Sequence, residues 1–267
     1  MLDIHCHILP GIDDGPATWE QSLEMAYLAS EDGIRKIVAT PHFIKGSYEP
    51  PVQEVLYLTE ELNKRIKKEN LDLEILPGME VYLESDLPEM FRKGEILTLN
   101  NAKKYLLVEF PSDSIPSHSE RVLYELRLQG IMPILAHADR NQVILQDPQK
   151  LFPLVESGLL TQVTTSSLEG HFGSKCQEIA NLLLKHKLAH FIATDAHYNP
   201  HRMPRMKDVI QRIRANMPDI YESLKNYEGD FEAGRYIVPE DPVPLETEKK
   251  GFLARLRGTL LGLQKVK

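Results

Sequence analysis

A chain of 267 residues, 42% of them hydrophobic, can bury the core of one large α/β barrel or of two ordinary domains. The net charge of −8 counts against a nucleic-acid binder that works by bulk electrostatics, and no apolar run approaches the ~20 residues of a membrane-spanning helix. Cys6 and Cys176 are too few for a disulfide framework, and the N-terminus shows no basic-then-apolar leader, so the cytoplasm is the simplest location.

Short β-branched apolar runs alternate with helical patterns along the chain. A first strand is expected over 2–7, then a helix over 19–31, where Thr18 and Gln21 have capping-box spacing and Gly33 follows the end. A strand over 34–40 precedes a helix over 51–69, and further strands follow over 73–81 and 105–110. Helices over 119–129, 149–157, 174–186 and 204–216 then alternate with strands over 131–137, 160–165 and 190–195. This alternation predicts a mostly parallel sheet of seven strands, closed as a barrel or doubly wound. Residues 238–244, with three prolines, read as an extended linker. Beyond it, residues 245–267 carry six basic side chains against Glu246 and Glu248, a net of +4 that leaves −12 on the rest. Phe252, Leu253, Leu256, Leu260, Leu261 and Leu263 make this tail amphipathic. A terminal helix packed on the body is the plain expectation and docking to a membrane surface or partner the sharper one. Gly251, Gly258 and Gly262 weaken the helix.

The chemistry gathers at strand ends. The first strand ends in Asp3-Ile4-His5-Cys6-His7, the second leads to His42, and the third and fourth end at Glu80 and Glu109. The fifth ends at His137, and the seventh leads to Asp195 and His197. A lone histidine is more often structural than a ligand. Eight imidazole or carboxylate side chains at six strand ends are not so easily dismissed, because catalytic groups gather at the C-terminal edge of α/β barrels. Strand alternation puts Asp3, His5 and His7 on one face and Leu2, Ile4 and Cys6 on the other, so Asp3 is placed to orient an imidazole. Imidazole mixed with carboxylate, without thiolate, suits Mn²⁺, Fe²⁺ or Zn²⁺ better than a structural zinc site. Eight ligands are too many for one ion. Arg140 and Arg202, three and five residues after His137 and His197, can each grip phosphate oxygens, a surface ion pair being the bland alternative. A cysteine phosphatase needs arginine six residues after its cysteine, and positions 12 and 182 hold Ile12 and Leu182. Neither Gly-x-Ser-x-Gly nor a phosphate-binding Gly-rich loop occurs, which leaves metal-activated water as the candidate nucleophile.

His5-x-His7, Asp13-Asp14-Gly15, Thr40-Pro41-His42, Pro77-Gly78-x-Glu80, Glu109-Phe110-Pro111, Ala136-His137 and Thr194-Asp195-Ala196-His197 together resemble the polymerase-and-histidinol-phosphatase (PHP) superfamily. The opening Asp3 to Pro16 resembles more narrowly the bacterial manganese-dependent protein-tyrosine phosphatases of capsule and exopolysaccharide operons, the CpsB/YwqE type. The match covers roughly residues 1–235. It implies a distorted seven-stranded TIM-like barrel over residues 1–237, with the linker and basic tail over 238–267 outside it. The resemblance also implies two or three metal ions, Mn²⁺ first, with Fe²⁺, Co²⁺ or Zn²⁺ as alternatives, held by His5, His7, His42, Glu80, Glu109, His137, Asp195 and His197. Arg140 and Arg202 would grip the phosphate, Asp14 would handle protons or support the ligands, and His42 or a nearby acid would assist the leaving group. The implied substrate is the tyrosine-rich tail of a cognate bacterial tyrosine kinase that controls polysaccharide export. A small-molecule phosphomonoesterase such as histidinol phosphatase is the alternative within the superfamily. An exonuclease fits poorly with a charge of −12 on the body, and a regulatory module docking through the basic tail is the rival of another class. Where the family commonly reads Ala-His-Pro-Glu-Arg, this chain has Ala136-His137-Ala138-Asp139-Arg140, which shortens the acid and removes the proline.

Overall fold

The computed structural model describes residues 1–245; the basic tail over 246–267 lies outside the described residues. Among the described residues nine strands run in chain order: β1 (Leu2–Cys6), β2 (Lys36–Ala39), β3 (His42–Phe43), β4 (Glu74–Pro77), β5 (Glu80–Tyr82), β6 (Tyr105–Glu109), β7 (Met132–Leu135), β8 (Leu160–Thr164) and β9 (Phe191–Ala193). Ten α-helices accompany them in the described residues: α1 (Trp19–Asp32), α2 (Val52–Lys68), α3 (Leu87–Lys93), α4 (Ser119–Leu128), α5 (Gln142–Gln146), α6 (Phe152–Glu156), α7 (Thr165–Glu169), α8 (Ser174–Lys185), α9 (Lys207–Asn216) and α10 (Pro218–Glu232). Helix α1 starts and stops as its sequence signals require. Thr18 Oγ1 accepts from the Gln21 amide, and Gly33 closes the helix at φ 91°. Among the described residues no helix is long and apolar enough to cross a membrane.

Every pairing among these nine strands is parallel. One sheet has the order β1-β2-β4, the other β3-β5-β6-β7-β8-β9. Two chain segments pass from the first sheet into the second. Thr40 and Pro41 interrupt one between β2 and β3, where proline has no N–H for a ladder bond. Gly78 and Met79 interrupt the other between β4 and β5. A Cβ on Gly78 would lie 2.9 Å from Val38 Cγ1, so only glycine permits this approach. The second break splits the strand expected over 73–81, whereas the strand expected over 34–40 is β2 alone and β3 lies beyond its expected end. At the far edge Cys6 bridges Ala196 in parallel, with the His7 amide donating to Ala196 O at 2.8 Å and the Asp195 amide to His5 O at 2.8 Å.

The two faces of the strands pack differently. Cys6, Ile37, Ala39, Val81, Leu106 and Val108 join the buried faces of α1, α2, α4 and α8 in the larger core. Leu2, Ile4, Val38, Leu107, Ile134, Leu160, Phe191 and Ala193 form a second cluster, closed by Tyr227 and Phe231 of α10. Tyr105 and Phe191 meet the Phe231 ring at centroid distances of 5.2 and 6.1 Å. The sequence reading did not place α10; its interior Gly229 and short apolar stripe hide a helix whose aromatic residues plug the strand layer. Helices α3, α5 and α7 are also additions, of seven, five and five residues, too short for a clear period. The helix expected over 149–157 is a 3₁₀ turn at Pro148–Lys150 followed by α6, with Pro153 in its first turn. Residues 238–244 hold neither helix nor strand and are tied to the body, since Val243 N donates to His186 O at 2.9 Å and Glu240 N to the Tyr227 hydroxyl at 3.0 Å.

A bulge in β1 governs the site. Asp3 lies beside Ile37 and Cys6 beside Ala39, so three steps on β1 match two on β2. Leu2 and Ile4 therefore pack in the second cluster while Cys6 turns to the helices. This corrects the simple alternation read from the sequence. Asp3 does not share a face with the two histidines, and its carboxylate accepts from Thr194 N at 3.0 Å and from the Thr194 hydroxyl, not from an imidazole.

His190 gives the fold a pH dependence of its own. Its Nδ1 accepts from Thr161 N at 3.0 Å, its Nε2 is buried without a partner, and its ring packs 5.8 Å from Tyr227. Burial lowers its pKa from 6.5 to about 4. The unfolded chain therefore binds a proton that the folded chain refuses, and stability falls as pH drops from 6.5 towards 4. Between pH 7.5 and pH 5 His190 should account for a loss of about 2 kcal/mol. Urea denaturation of the wild type and His190→Gln at both pH values measures it; equal losses in the two proteins would contradict it.

Candidate metal centre

All eight side chains singled out as metal ligands converge on one space at the C-terminal ends of the strands. The register helps to bring them there. His42 and Glu80 are direct partners on β3 and β5, and Glu109 sits beside Tyr82 on β6. His5 and His7 are fully buried, and Glu80 with them. His137 (φ 32°) and Asp195 (φ 49°) hold left-handed backbone conformations that cost a non-glycine residue free energy. Both are pinned by neighbours, His137 N by Gln162 Oε1 at 2.9 Å and Asp195 N by His5 O.

His5 and His7 present the centre of the arrangement. Gln162 Oε1 accepts from the His137 amide, so the His5 Nδ1–H 3.2 Å away donates to the same oxygen. His7 Nδ1–H donates to Asp13 Oδ2 at 2.7 Å. Both rings are thereby fixed with bare Nε2 atoms, and these face each other at 3.2 Å. Glu80 Oε2 stands 3.2 Å from each nitrogen, and Asp195 Oδ1 stands 3.3 and 3.4 Å away. Four electron-rich atoms packed like this repel unless a cation lies between them. Donors bound tetrahedrally to one ion at about 2.1 Å would sit ~3.4 Å apart, which is the spacing seen. Burial opposes a charge on His7, yet Asp13, Asp195 and Glu80 raise its pKa well above the ordinary value. These carboxylates require positive charge at this point.

The other donors extend the cluster. His42 Nδ1 lies 3.0 Å from Glu80 Oε2 and 3.8 Å from Glu109 Oε2. His137 Nε2 lies 2.9 Å from Glu80 Oε1 and 3.5 Å from Glu109 Oε1. His197 Nδ1 lies 3.0 Å from Asp195 O and its Nε2 faces Asp14 Oδ1 at 3.1 Å. Asp14 is half-exposed and points into the same space as His7, His42 and His197. Glu80 Oε2 and His42 Nδ1 are buried without a hydrogen-bond partner. Burial, then the Glu80 charge, pushes the Glu109 carboxyl up to about 7. Three donor groups are tight enough to share an ion: His5, His7 and Glu80; His42, Glu80 and Glu109; and His7, Asp14, His42 and His197. The donor set and its orphaned atoms fit a cluster of divalent ions.

Arg140 and Arg202 both reach Asp195. An Arg140 terminal nitrogen donates to Asp195 Oδ2, and Arg202 donates to Oδ2 at 2.7 Å and to the backbone oxygen at 3.1 Å. Their Nε–H groups are buried and unpartnered, leaving donors for an anion's oxygens. Asp139 is fully buried and accepts from Thr164 N at 3.3 Å and Thr164 Oγ1 at 2.8 Å. The shortened acid thus still ties the turn that aims Arg140 to the end of β8. His118, His186 and His201 stay apart from this cluster and bond to backbone or loop neighbours.

Gln162 and Asp13 were missed as orienting residues. Gln162 carried a signal, since it lies at the inward parity of β8 with Leu160 and Thr164. Asp13 stood in the Asp13-Asp14-Gly15 turn without its role being legible. Its carboxylate accepts from the His7 ring, from Gly15 N at 2.9 Å and from His42 N at 3.0 Å. Gly15 is required there because a Cβ would lie 2.7 Å from His7 O.

Residues 1–225 match the family described as capsular polysaccharide synthesis, CpsB/CapC. The chain is similar to the tyrosine-protein phosphatase YwqE of Bacillus subtilis (strain 168), 42% identical over 197 residues that cover 74% of this chain and 77% of the relative. It is similar to the tyrosine-protein phosphatase CpsB of Streptococcus agalactiae serotype V, 31% identical over 219 residues, 80% of this chain and 89% of the relative. A crystal structure from a study of YwqE from Bacillus subtilis and CpsB from Streptococcus pneumoniae, described as metal-dependent tyrosine phosphatases, superposes with a TM-score of 0.87 at 35% identity. It covers 92% of this chain and 100% of that chain.

Asp13→Asn removes the charge that fixes the His7 ring. It should weaken Mn²⁺ binding about 10- to 100-fold, measured by titration calorimetry; an affinity within about two-fold of wild type would contradict the orienting role.

Proposed function

The chain belongs to the CpsB/CapC family of capsular polysaccharide synthesis, and from that premise we propose that it is a metal-dependent tyrosine-protein phosphatase. The observation that carries the reading is the pair of bare imidazole nitrogens, His5 Nε2 and His7 Nε2, facing each other among buried carboxylates. The two sheets read as one distorted seven-stranded barrel, in which β2 with β3 and β4 with β5 are interrupted single strands and the Cys6–Ala196 bridge supports closure. Residues 1–237 are the catalytic domain, and residues 238–267 are a linker and a basic tail. His5, His7, His42, Glu80, Glu109, His137, Asp195 and His197 hold two or three ions, Mn²⁺ by preference, with Asp14 facing the same space.

When bound, the ions polarise a phosphoryl oxygen and lower the pKa of water towards neutrality. The chain's own groups do the rest. Arg140 and Arg202 grip the non-bridging oxygens and offset charge as it spreads over them in the transition state. Asp195 holds both guanidinium groups in place. Asp14, at the exposed edge, is held ionised beside His197 Nε2 and supports that ligand, while Asp13 and Gln162 keep the His7 and His5 rings from turning. The leaving phenolate has a pKa near ~10 and needs little help, which His42 at the rim can supply. The substrate is the phosphotyrosine tail of a bacterial tyrosine kinase that regulates capsule and exopolysaccharide synthesis, met in the cytoplasm. The small-molecule alternative, a histidinol phosphatase, is not favoured, because the matched relatives carry tyrosine-protein phosphatase names.

Turnover of a phosphotyrosine peptide should be lost in chelator and restored by Mn²⁺; undiminished turnover in chelator would overturn the reading. Arg202→Ala should lower kcat/KM about 100-fold, and Arg202→Lys should recover little of it, because a point charge lacks the planar fork. A variant within about three-fold of wild type would remove Arg202 from the phosphate grip.

A further inference from the structure

Two aromatic rings border the charged donors. The Tyr48 ring stacks beside His42, with centroids 6.0 Å apart and planes 20° from parallel. The Phe172 ring lies under Arg140, whose guanidinium carbon is 4.9 Å from the ring centroid. Both rings are partly exposed, although Phe172 also packs against the larger core. They stand beside the rim residues of the site, where His42 and Arg140 are 14% and 22% exposed, while His5, His7 and Glu80 below are fully buried. A phosphoryl group held by the buried donors and Arg140 would direct its ester substituent outward, toward the rim where His42 and Arg140 meet these rings.

Both rings are held by pinned backbone. Tyr48 closes a tight turn in which Ile44 N donates to Tyr48 O at 2.6 Å and Tyr48 N donates back at 2.9 Å, with Gly46 at φ 76°. Phe172 sits in the loop between α7 and α8. That loop is bounded by Gly170 (φ 86°) and Gly173 (φ 91°), and Gly173 N donates to Gly170 O at 3.0 Å. Rings fixed in advance lose little conformational entropy on binding. Aromatic side chains also pack well against another ring, edge-on or offset. The bare donor cluster would hold any phosphate monoester, so it supplies no preference for an aryl one.

We propose that Tyr48 and Phe172 form an aromatic subsite that packs on the phenyl ring of phosphotyrosine and selects aryl over alkyl phosphate monoesters. This rests on the phosphatase reading above and names what that site prefers. Offset or edge packing of one ring pair corresponds to about a 3- to 10-fold preference.

The test compares kcat/KM for a phosphotyrosine peptide with that for β-glycerophosphate, in the full-length, Mn²⁺-loaded protein. Tyr48→Ala and Phe172→Leu should each lower the aryl-to-alkyl ratio about 3- to 10-fold, mainly through KM for the peptide, and the double variant further. Tyr48→Phe and Phe172→Tyr, which keep the rings, should keep the ratio. A ratio unchanged in Tyr48→Ala and Phe172→Leu overturns the subsite. If both substrates suffer equally, the rings only position His42 and Arg140; if neither does, they are inert. A wild type that hydrolyses no phosphotyrosine with Mn²⁺ instead overturns the phosphatase reading itself.

Discussion

Glu80, Asp195, His5 and His7 lie out of contact with water, with their electron-rich atoms about a van der Waals distance apart. Their burial carries a desolvation cost that only positive charge among them offsets. Leaving such a buried charge uncompensated costs about 3–5 kcal/mol. The surrounding architecture reads as the means of imposing that crowding. The β1 bulge, the Gly78 approach, the strained His137 and Asp195 backbones and the aromatic plug of α10 each place or hold one donor-bearing strand. Asp195 then connects the donors to the two arginines, so the guanidinium pair and the donor cluster share one carboxylate.

Much of this was legible in the residues. Parallel strands alternating with helices, and the arrival of His5, His42, Glu80, Glu109, His137 and Asp195 at strand ends, need only the helical and strand periods together with chain order. The breaks at Pro41 and Gly78 were visible as letters, but their effect is not local. Each depends on how closely a neighbouring strand approaches, as the 2.9 Å clearance at Gly78 shows.

The bulge was not legible, because an extra residue on one strand is defined only by its partner. For that reason Asp3 was assigned to the wrong face, and its bond to Thr194, a residue 191 positions away, was out of reach. Gln162 and Asp13 escaped for the same reason. An amide or a carboxylate becomes an orienting group only when a ring nitrogen is brought to it. Helix α10 escaped because two aromatic residues, Tyr227 and Phe231, are too few to set a period, although their rings close the strand layer.

The account stands on a cation held between His5 Nε2 and His7 Nε2. Anomalous scattering at the manganese edge, from crystals of Mn²⁺-loaded protein whose phosphotyrosine turnover has been verified, tests it most directly. Two or three peaks are predicted, one of them enclosed by His5, His7, Glu80 and Asp195. Active protein with no peak among those four side chains would contradict it.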